Sequence, residues 1–450
     1  MENLNTDRFQ CIYFLGIGGI GMSALAQYFL QHGKEVHGYD LTPTAITEEL
    51  LNKGAHIHFE ENISLIPTDV DLVVHTPAVS KEHLEYQFFI AYNVPIFKRS
   101  EILGKVSSQY PNIAVAGTHG KTTTTAMISH IFHDEKNIMA FIGGVAKNFN
   151  SNFVLDPHVE MVIEEADEFD RSFLQLSPDS AVITSMDADH LDIYGVKEEL
   201  ENSFRKFSTR IRAHGPLIIH ENLKGKINYK NQFSYGLEPT ADYSISKVQL
   251  FPNKAFFNIT YQQKLSFLVE LGVSGMHNIL NATAAFAVAH QWGISPDIII
   301  EKLKTFTGVK RRFDYLIERE DFIFIDDYAH HPEEIRAFFN SVKSIYPEKH
   351  ITAVFQPHLY SRTRDFAIQF AEVLALPDTI ILMDIYPARE KPIEGITSAY
   401  LLSLIQHPDK KLLDRKQLID YLLQEKPEVL LTLGAGDIDK SLPELKRVLS

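Results

Sequence analysis

Residues 113–124 read IAVAGTHGKTTT. A short apolar run, Ile113–Ala116, gives way to the loop Gly117–Lys121 and then to a helical pattern over Thr122–Phe132. Strand, glycine loop and helix in that order make a phosphate-binding loop. Backbone N–H groups of Gly120 to Thr123 can wrap a β-phosphate. Lys121 is placed for β- and γ-phosphate oxygens, and the Thr122 hydroxyl can ligate Mg²⁺. The strict spacing GxxxxGK[ST] asks for glycine at position 115, where this chain has Val115. The loop is a variant whose first glycine is Gly117.

The same local order occurs on either side. Cys11–Leu15, Gly16–Gly21 and Met22–His32 read as strand, loop and helix, as do Phe322–Ile325, Asp326–Pro332 and Glu333–Val342. Further buried-strand runs are Glu35–Tyr39, Leu72–His75, Met161–Glu165, Ser180–Ser185, Ile351–Phe355, Thr379–Met383 and Val429–Leu433. Continuous apolar runs alternating with helices predict parallel α/β sheets. The alternation within Phe233–Leu271 predicts a small antiparallel sheet attached to the middle segment. The expected fold class is therefore α/β with three domains. An N-terminal Rossmann-like domain spans 1–107, a central P-loop domain 108–312 and a C-terminal Rossmann-like domain 313–450. The joins fall at Val106–Pro111 and at Thr307–Phe313.

The composition fits this size and class. The chain has 450 residues, enough for about two to four domains. Its 58 acidic against 43 basic residues give a formal net charge of −15, which disfavours a general nucleic-acid or anionic-membrane binder. A single cysteine, Cys11, forbids an intrachain disulfide and a cysteine-only zinc site, and fits a reducing compartment. No apolar stretch reaches the length of a membrane span, and Met1–Gln10 is polar. The expectation is a cytoplasmic protein, monomer or homodimer, with no nucleic-acid or membrane partner.

Gly16-Ile-Gly18-Gly19-Ile-Gly21 is GxGxxG between a strand and a helix, and Asp40 follows Gly21 at the end of the second strand. Such glycines admit a phosphate, and the acid can meet a ribose hydroxyl. The pattern alone suggests a dinucleotide. Beside a P-loop, a diphosphate-bearing second substrate is more economical. His75 and Thr76, at another strand end, either touch that diphosphate or make a turn.

Two acidic stretches follow strands of the middle segment: Glu164-Glu165-Ala-Asp167-Glu168-Phe-Asp170 and Asp187-Ala-Asp189-His190-Leu-Asp192. Carboxylates and an imidazole at strand ends near a phosphate loop can hold Mg²⁺. Glu165 and His190 are the first candidates, against the alternative of a solvated acidic surface. Asn278 and Asn281 share one face of a helix opened by Gly275. They suit either an adenine edge or helix capping. Lys310-Arg311-Arg312 either neutralises a transferring phosphate or is solvated. Asp327 and His330 follow one strand, and His358 and Arg362 the next, so each pair faces a strand-end cleft. Arg362 can clamp a carboxylate.

Taken in order, GxGGxGM, AGTHGKTTTT, EADE, ADHLD, the two-asparagine helix, KRRF, DDYAHHP, FQPH with YSRT, and LGAGDI (Leu433 to Ile438) resemble the ATP-dependent Mur ligases over nearly the whole chain. Within that family the likeness is to the member that joins L-alanine to UDP-N-acetylmuramate. The resemblance implies a UDP-sugar domain, an ATP domain and an amino-acid domain. It implies phosphorylation of the muramoyl carboxylate and attack of the L-alanine amine on the acyl phosphate, with ATP and Mg²⁺ required. By position it assigns ATP to Gly117, Thr118, His119, Gly120, Lys121, Thr122, Thr123, Asn278, Asn281, Arg312 and Asp327. It assigns metal to Thr122, Glu165 and His190, and the UDP-sugar to Gly16, Gly18, Gly19, Gly21, Asp40, His75 and Thr76. The amino acid falls to Tyr328, His330, His358 and Arg362, and catalysis to Lys121, His190, Arg312 and His330. One departure is Leu359, where the family often has arginine; Arg362 or Arg364 is the substitute guanidinium.

Overall fold

The structure is a computed structural model, and it describes residues 8–187, 194, 196–388 and 390–450. It has three sheets, one for each domain. The first carries β1 (Cys11–Leu15), β2 (Glu35–Tyr39), β3 (His56–His58), β4 (Leu72–His75) and β5 (Ile96–Lys98), in the order β3-β2-β1-β4-β5. All its pairings are parallel. The chain reverses direction of winding between β1 and β4, which opens a crevice beyond their carboxyl ends. Gly16 follows one of those ends and Thr76 the other.

The second sheet contains β6 (Asn112–Ala116), β7 (Ile138–Ala146), β8 (Ser151–Leu155), β9 (Met161–Glu165), β10 (Ser180–Ile183), β11 (Leu217–His220) and β12 (Gln232–Gly236). The order runs β12-β11-β10-β6-β9-β7-β8. β6 lies between β10 and β9, with Ala116 opposite Ile183 and Val115 opposite Glu165. The phosphate loop therefore emerges between two other strand ends. The attached small sheet expected from the sequence is continuous with this one: β13 (Tyr243–Phe251), β14 (Lys254–Tyr261) and β15 (Leu265–Leu271) extend it beyond β12, and β12 pairs with β13 in parallel.

The third sheet has β16 (Asp314–Glu318), β17 (Ile323–Asp327), β18 (Ile351–Phe355), β19 (Thr379–Leu382), β20 (Lys410–Leu412) and β21 (Val429–Leu433), ordered β16-β17-β21-β18-β19-β20. Only the edge strand β16 is antiparallel. β17 runs two residues further than the sequence pattern predicts. Asp326 and Asp327 pair in register with Thr432 and Leu433, so ladder bonds carry two buried acids into the strand.

The chain divides into two compact units. One comprises Met1–Lys247, Phe257–Val269 and Leu280–Thr307; the other comprises Val248–Phe256, Glu270–Ile279 and Gly308–Ser450. In the first unit a single apolar core runs from Phe9 through Ile227, so the first two domains are packed as one body. Asn152 ties them: its Oδ1 accepts from Gln27 at 2.9 Å, and its Nδ2 donates to the Ile20 carbonyl at 2.6 Å. A Cβ on Gly104 would meet the Gln175 carbonyl oxygen at 2.6 Å, which shows how closely the helix Arg99–Ser107 approaches the second domain. Among the described residues, no helix is long and apolar enough to cross a membrane.

Candidate active site

The phosphate loop is held from below. Gly117 and Gly120 have positive φ, and a Cβ on Gly117 would lie 2.0 Å from Thr184 Oγ1. Thr184 donates to the carbonyls of Ala116, at 3.2 Å, and of His119. Ser185 Oγ accepts from His119 N at 2.9 Å and meets Thr118 Oγ1 at 2.8 Å. The strand end of β10 thus shapes the loop. Asn281 stands against the loop from the other side: a Cβ on Gly120 would be 2.5 Å from its Oδ1.

Lys121 opens the helix Lys121–Phe132. Its Nζ donates to the Gly117 carbonyl and to Glu168 Oε2, both at 2.7 Å. Burial works against the ammonium charge, but Glu168, Asp167 and Glu165 outweigh it and push the pKa up, so Lys121 stays protonated. Thr122 and Thr123 are buried in the first turn. Glu165, at the end of β9, accepts from Gly143 N at 3.0 Å.

A cavity of about 250 Å³ joins the glycine loop of the first domain to the acidic strand end of the second. Gly19, Gly21 and Thr76 line one side; Gly143, Glu165 and Asp167 line the other. Lys98 and Arg99 stand between them. Lys98 reaches Asp170 at 2.6 Å, and Arg99 lies 3.5 Å from Asp167. A Cβ on Gly21 would meet the Arg99 guanidinium at 2.9 Å. Neither cation stands out in the sequence. The available signal is their place, a basic pair at the carboxyl end of a strand and the start of a helix.

Other members of the first motif do different work. Asp40 Oδ2 accepts from Gly18 N at 2.7 Å and Oδ1 from Thr42 N at 3.3 Å, so this carboxylate braces the loop. Gly16 approaches Thr76 so closely that a Cβ would lie 2.6 Å from its methyl. His75 is buried edge-on against Tyr86, and burial lowers its pKa. His190, with Asp189 and Asp192, lies outside the described residues. The two neighbouring acids Glu164 and Glu165 separate as strand alternation requires. Glu165 lines the cavity, whereas Glu164 is wholly buried, and its burial pushes the pKa up to about 8.

The second unit carries the remaining candidates. Arg311 is structural: its guanidinium reaches buried Asp326 at 3.1 Å and the Gly434 carbonyl at 2.7 Å. Arg312 stacks over the Tyr328 ring at 4.8 Å. Asp327 accepts from the backbone amides of Phe313 and Ala329, both at 2.7 Å. Burial outweighs those bonds and the charge of Arg312, and pushes its pKa up to about 7. The Tyr328 and His330 rings lie 5.3 Å apart, those of His330 and His358 6.1 Å, and His358 stacks on Tyr386 at 5.8 Å. Thus Tyr328, His330 and His358 form one aromatic cluster at the ends of β17 and β18. Arg362 is buried in the helix Tyr360–Asp365. Leu359 precedes it at φ 69°, an unusual backbone for a branched side chain. Asn278 Nδ2 donates to the Ser274 carbonyl at 2.6 Å, while its buried Oδ1 has no hydrogen-bond partner among the described residues.

Comparison with known proteins follows the same three-part division. Three family models match in chain order: "Mur ligase family, catalytic domain" over residues 11–111, "Mur ligase middle domain" over 115–289 and "Mur ligase, glutamate ligase domain" over 311–436. A Flavobacterium johnsoniae protein named UDP-N-acetylmuramate–L-alanine ligase is 43% identical over 99% of both chains. A Cytophaga hutchinsonii protein of the same name is 42% identical over 98% of this chain and 97% of its own. Among solved structures, the UDP-N-acetylmuramate–alanine ligase of Thermotoga maritima superposes with a TM-score of 0.83 at 27% identity, covering 98% of this chain and 99% of that one. A murein peptide ligase of Psychrobacter arcticus gives 0.71 at 22% identity, with 98% of each chain covered, a likeness of fold.

Proposed function

The chain belongs to the Mur ligase family, and from that premise we propose that it is the ATP-dependent ligase joining L-alanine to the carboxylate of UDP-N-acetylmuramate in peptidoglycan precursor synthesis. The observation that carries this reading is identity above 40% to proteins of that activity over essentially the full length, the amino-acid domain included. ATP is a substrate, and the reaction belongs where ATP is made, in the cytoplasm.

In this reading the domains are 1–107 for the UDP-sugar, 108–312 for ATP and 313–450 for the amino acid. The diphosphate lies on Gly16, Gly18, Gly19 and Gly21, braced by Asp40, with His75 and Thr76 at the neighbouring strand end. The muramoyl end extends through the cavity toward Glu165, past Lys98 and Arg99. Gly117 to Thr123 wrap the ATP phosphates, and Lys121 leaves the Gly117 carbonyl to neutralise the γ-phosphate. Asn278, whose buried Oδ1 is an unmatched acceptor among the described residues, and Asn281 meet the adenine; Asp327 meets the ribose. Arg312 reaches the phosphates, and Tyr328, His330, His358 and Arg362 line the alanine site.

The muramoyl carboxylate attacks the γ-phosphorus and ADP leaves. The alanine amine then attacks the acyl carbon, His330 accepts a proton, and phosphate departs as the amide forms. The donors Thr122 and Glu165 are hard oxygens, which suit Mg²⁺, and His190 completes the proposed set. When bound, Mg²⁺ supplies positive charge against the phosphate oxygens. Exclusion of water protects the acyl phosphate from hydrolysis.

The test is phosphate release from MgATP with UDP-N-acetylmuramate and one amino acid or peptide at a time. Release that requires both the UDP-sugar and L-alanine supports the reading. Release with a tripeptide and not with L-alanine overturns the choice of acceptor, and oxidation of added NADH would overturn the reaction class.

A further inference from the structure

The first sheet has two ends, and the proposed substrate uses only the carboxyl end. At the opposite, amino-terminal end a different set of side chains converges. Parallel register puts Cys11 beside Glu35, and His37 beside His56. In a strand, residues two apart share a face. Cys11, Glu35, His37 and His56 therefore stand on the same face of three adjacent strands, Cys11, Glu35 and His56 each at the first position of its strand. One ligand-capable atom from each of Cys11, Glu35 and His37 lies within 4.8 Å of the other two. His37 Nε2 is 2.7 Å from Glu35 Oε1, and its ring stacks on that of His56 at 4.7 Å.

We propose that Cys11, Glu35 and His37 form a binding site for a divalent cation of the zinc class, separate from the ligase centre. A thiolate, an imidazole and a carboxylate are the donors such an ion selects, with its fourth position left for water or His56. Donors on a tetrahedral zinc sit about 3.5 Å apart. The existing separations reach that spacing by small side-chain movements, and Glu35, half exposed, is free to make them. Mg²⁺ would not choose this set, because it favours all-oxygen shells.

A zinc-class ion bound here displaces the thiol proton of Cys11. Binding releases that proton to solvent and changes no oxidation state. Asp71 is not a ligand here, since its carboxylate caps the start of β1 at Gln10 N, 2.9 Å away, and Cys11 N, 3.4 Å away.

The test uses full-length, metal-free protein titrated with Co²⁺ as an optical probe, followed by displacement with Zn²⁺. Cys11 is the only cysteine in the chain, so a thiolate-to-cobalt charge-transfer band reports this site and no other. One equivalent of Co²⁺ should produce the band, and Zn²⁺ should abolish it. Cys11→Ser should remove it. His37→Gln and Glu35→Gln, which keep the thiol and sit at the strand surface, should each weaken Co²⁺ binding at least tenfold while leaving the ligase rate in MgATP unchanged. No band at one equivalent, or a band with unaltered affinity in both His37→Gln and Glu35→Gln, would overturn the proposal.

Discussion

Replacing Glu164 with glutamine should make the protein more stable, and increasingly so as the pH rises. Glu164 is wholly buried at the end of β9, with Asn112 Nδ2 3.4 Å from Oε1 and no partner for Oε2 among the described residues. Burial raises its pKa to about 8 from the ordinary 4.5, against the weaker pull of the nearby Ser107 hydroxyl and then of Arg212 and Arg99. At neutral pH the folded protein therefore holds this side chain as the acid, while the unfolded chain ionises it. Stability is unaffected below 4.5, where both states are protonated. It falls by about 1.4 kcal/mol per pH unit between 4.5 and 8, and is level again above. The whole window amounts to roughly 5 kcal/mol. Glutamine keeps the shape and cannot ionise. The unfolding-midpoint gap between Glu164→Gln and wild type should thus open steadily from pH 5 to pH 8 and then stay constant. A protonated-carboxyl infrared band that titrates near pH 8 and vanishes in Glu164→Gln would identify the group directly. A gap independent of pH, with no such band, would refute the reasoning, because Glu164 would then be ionised in the fold.

Three further outcomes follow from the geometry. Gly143→Ala should raise the Mg²⁺ concentration needed for half-maximal phosphate release about tenfold, since the new Cβ would sit 2.2 Å from Glu165 Oε2 and displace that carboxylate. UDP-sugar affinity measured without Mg²⁺ should change much less. Asp327→Asn replaces one acceptor of the Phe313 and Ala329 amides with an N–H₂ donor, and should destabilise the loop by about 1–3 kcal/mol, read as a lower unfolding midpoint and earlier proteolysis near Phe313. Lys121→Met should reduce phosphate release at least a hundredfold with UDP-sugar binding intact by calorimetry, because its Nζ is the cation buried in the phosphate loop.

The sequence made the phosphate loop legible because its chemistry restricts residue type at fixed spacing: glycines at positive φ, then lysine, then a hydroxyl. The crevice beside Gly16 was legible for the same reason. What escaped were residues whose meaning comes from neighbours remote in sequence. Lys98 and Arg99 are two cations among 43 until the parallel β4–β5 pair sets them beside the cavity. Glu164 and Glu165 are indistinguishable as letters, yet one faces the cavity and the other the core. Arg311 and Arg312 both lie over the Tyr328 ring, but Asp326 and the Gly434 carbonyl also hold the first. Strand order was hidden as well. The helix after the phosphate loop leads to β7, but β9 arrives later in the chain and inserts between β6 and β7.

That insertion explains why Glu165 and Lys121 belong to one site. With β9 beside β6, the acids following Glu165 fall against the loop, and Glu168 receives the lysine. Glu165 itself stays at the cavity wall, opposite Gly21 and Thr76. The cavity thus has a glycine-rich rim on the first domain and an acidic rim on the second, with Arg99 between them. Because the two domains share one apolar core, the cavity and the phosphate loop are held in fixed register. An acyl phosphate made there need not wait for those two domains to assemble. In the proposed function the other compact unit serves both steps: Asn278, Asp327 and Arg312 meet ATP, and the aromatic cluster of Tyr328, His330 and His358 holds the amine, so neither step is complete on the first unit alone.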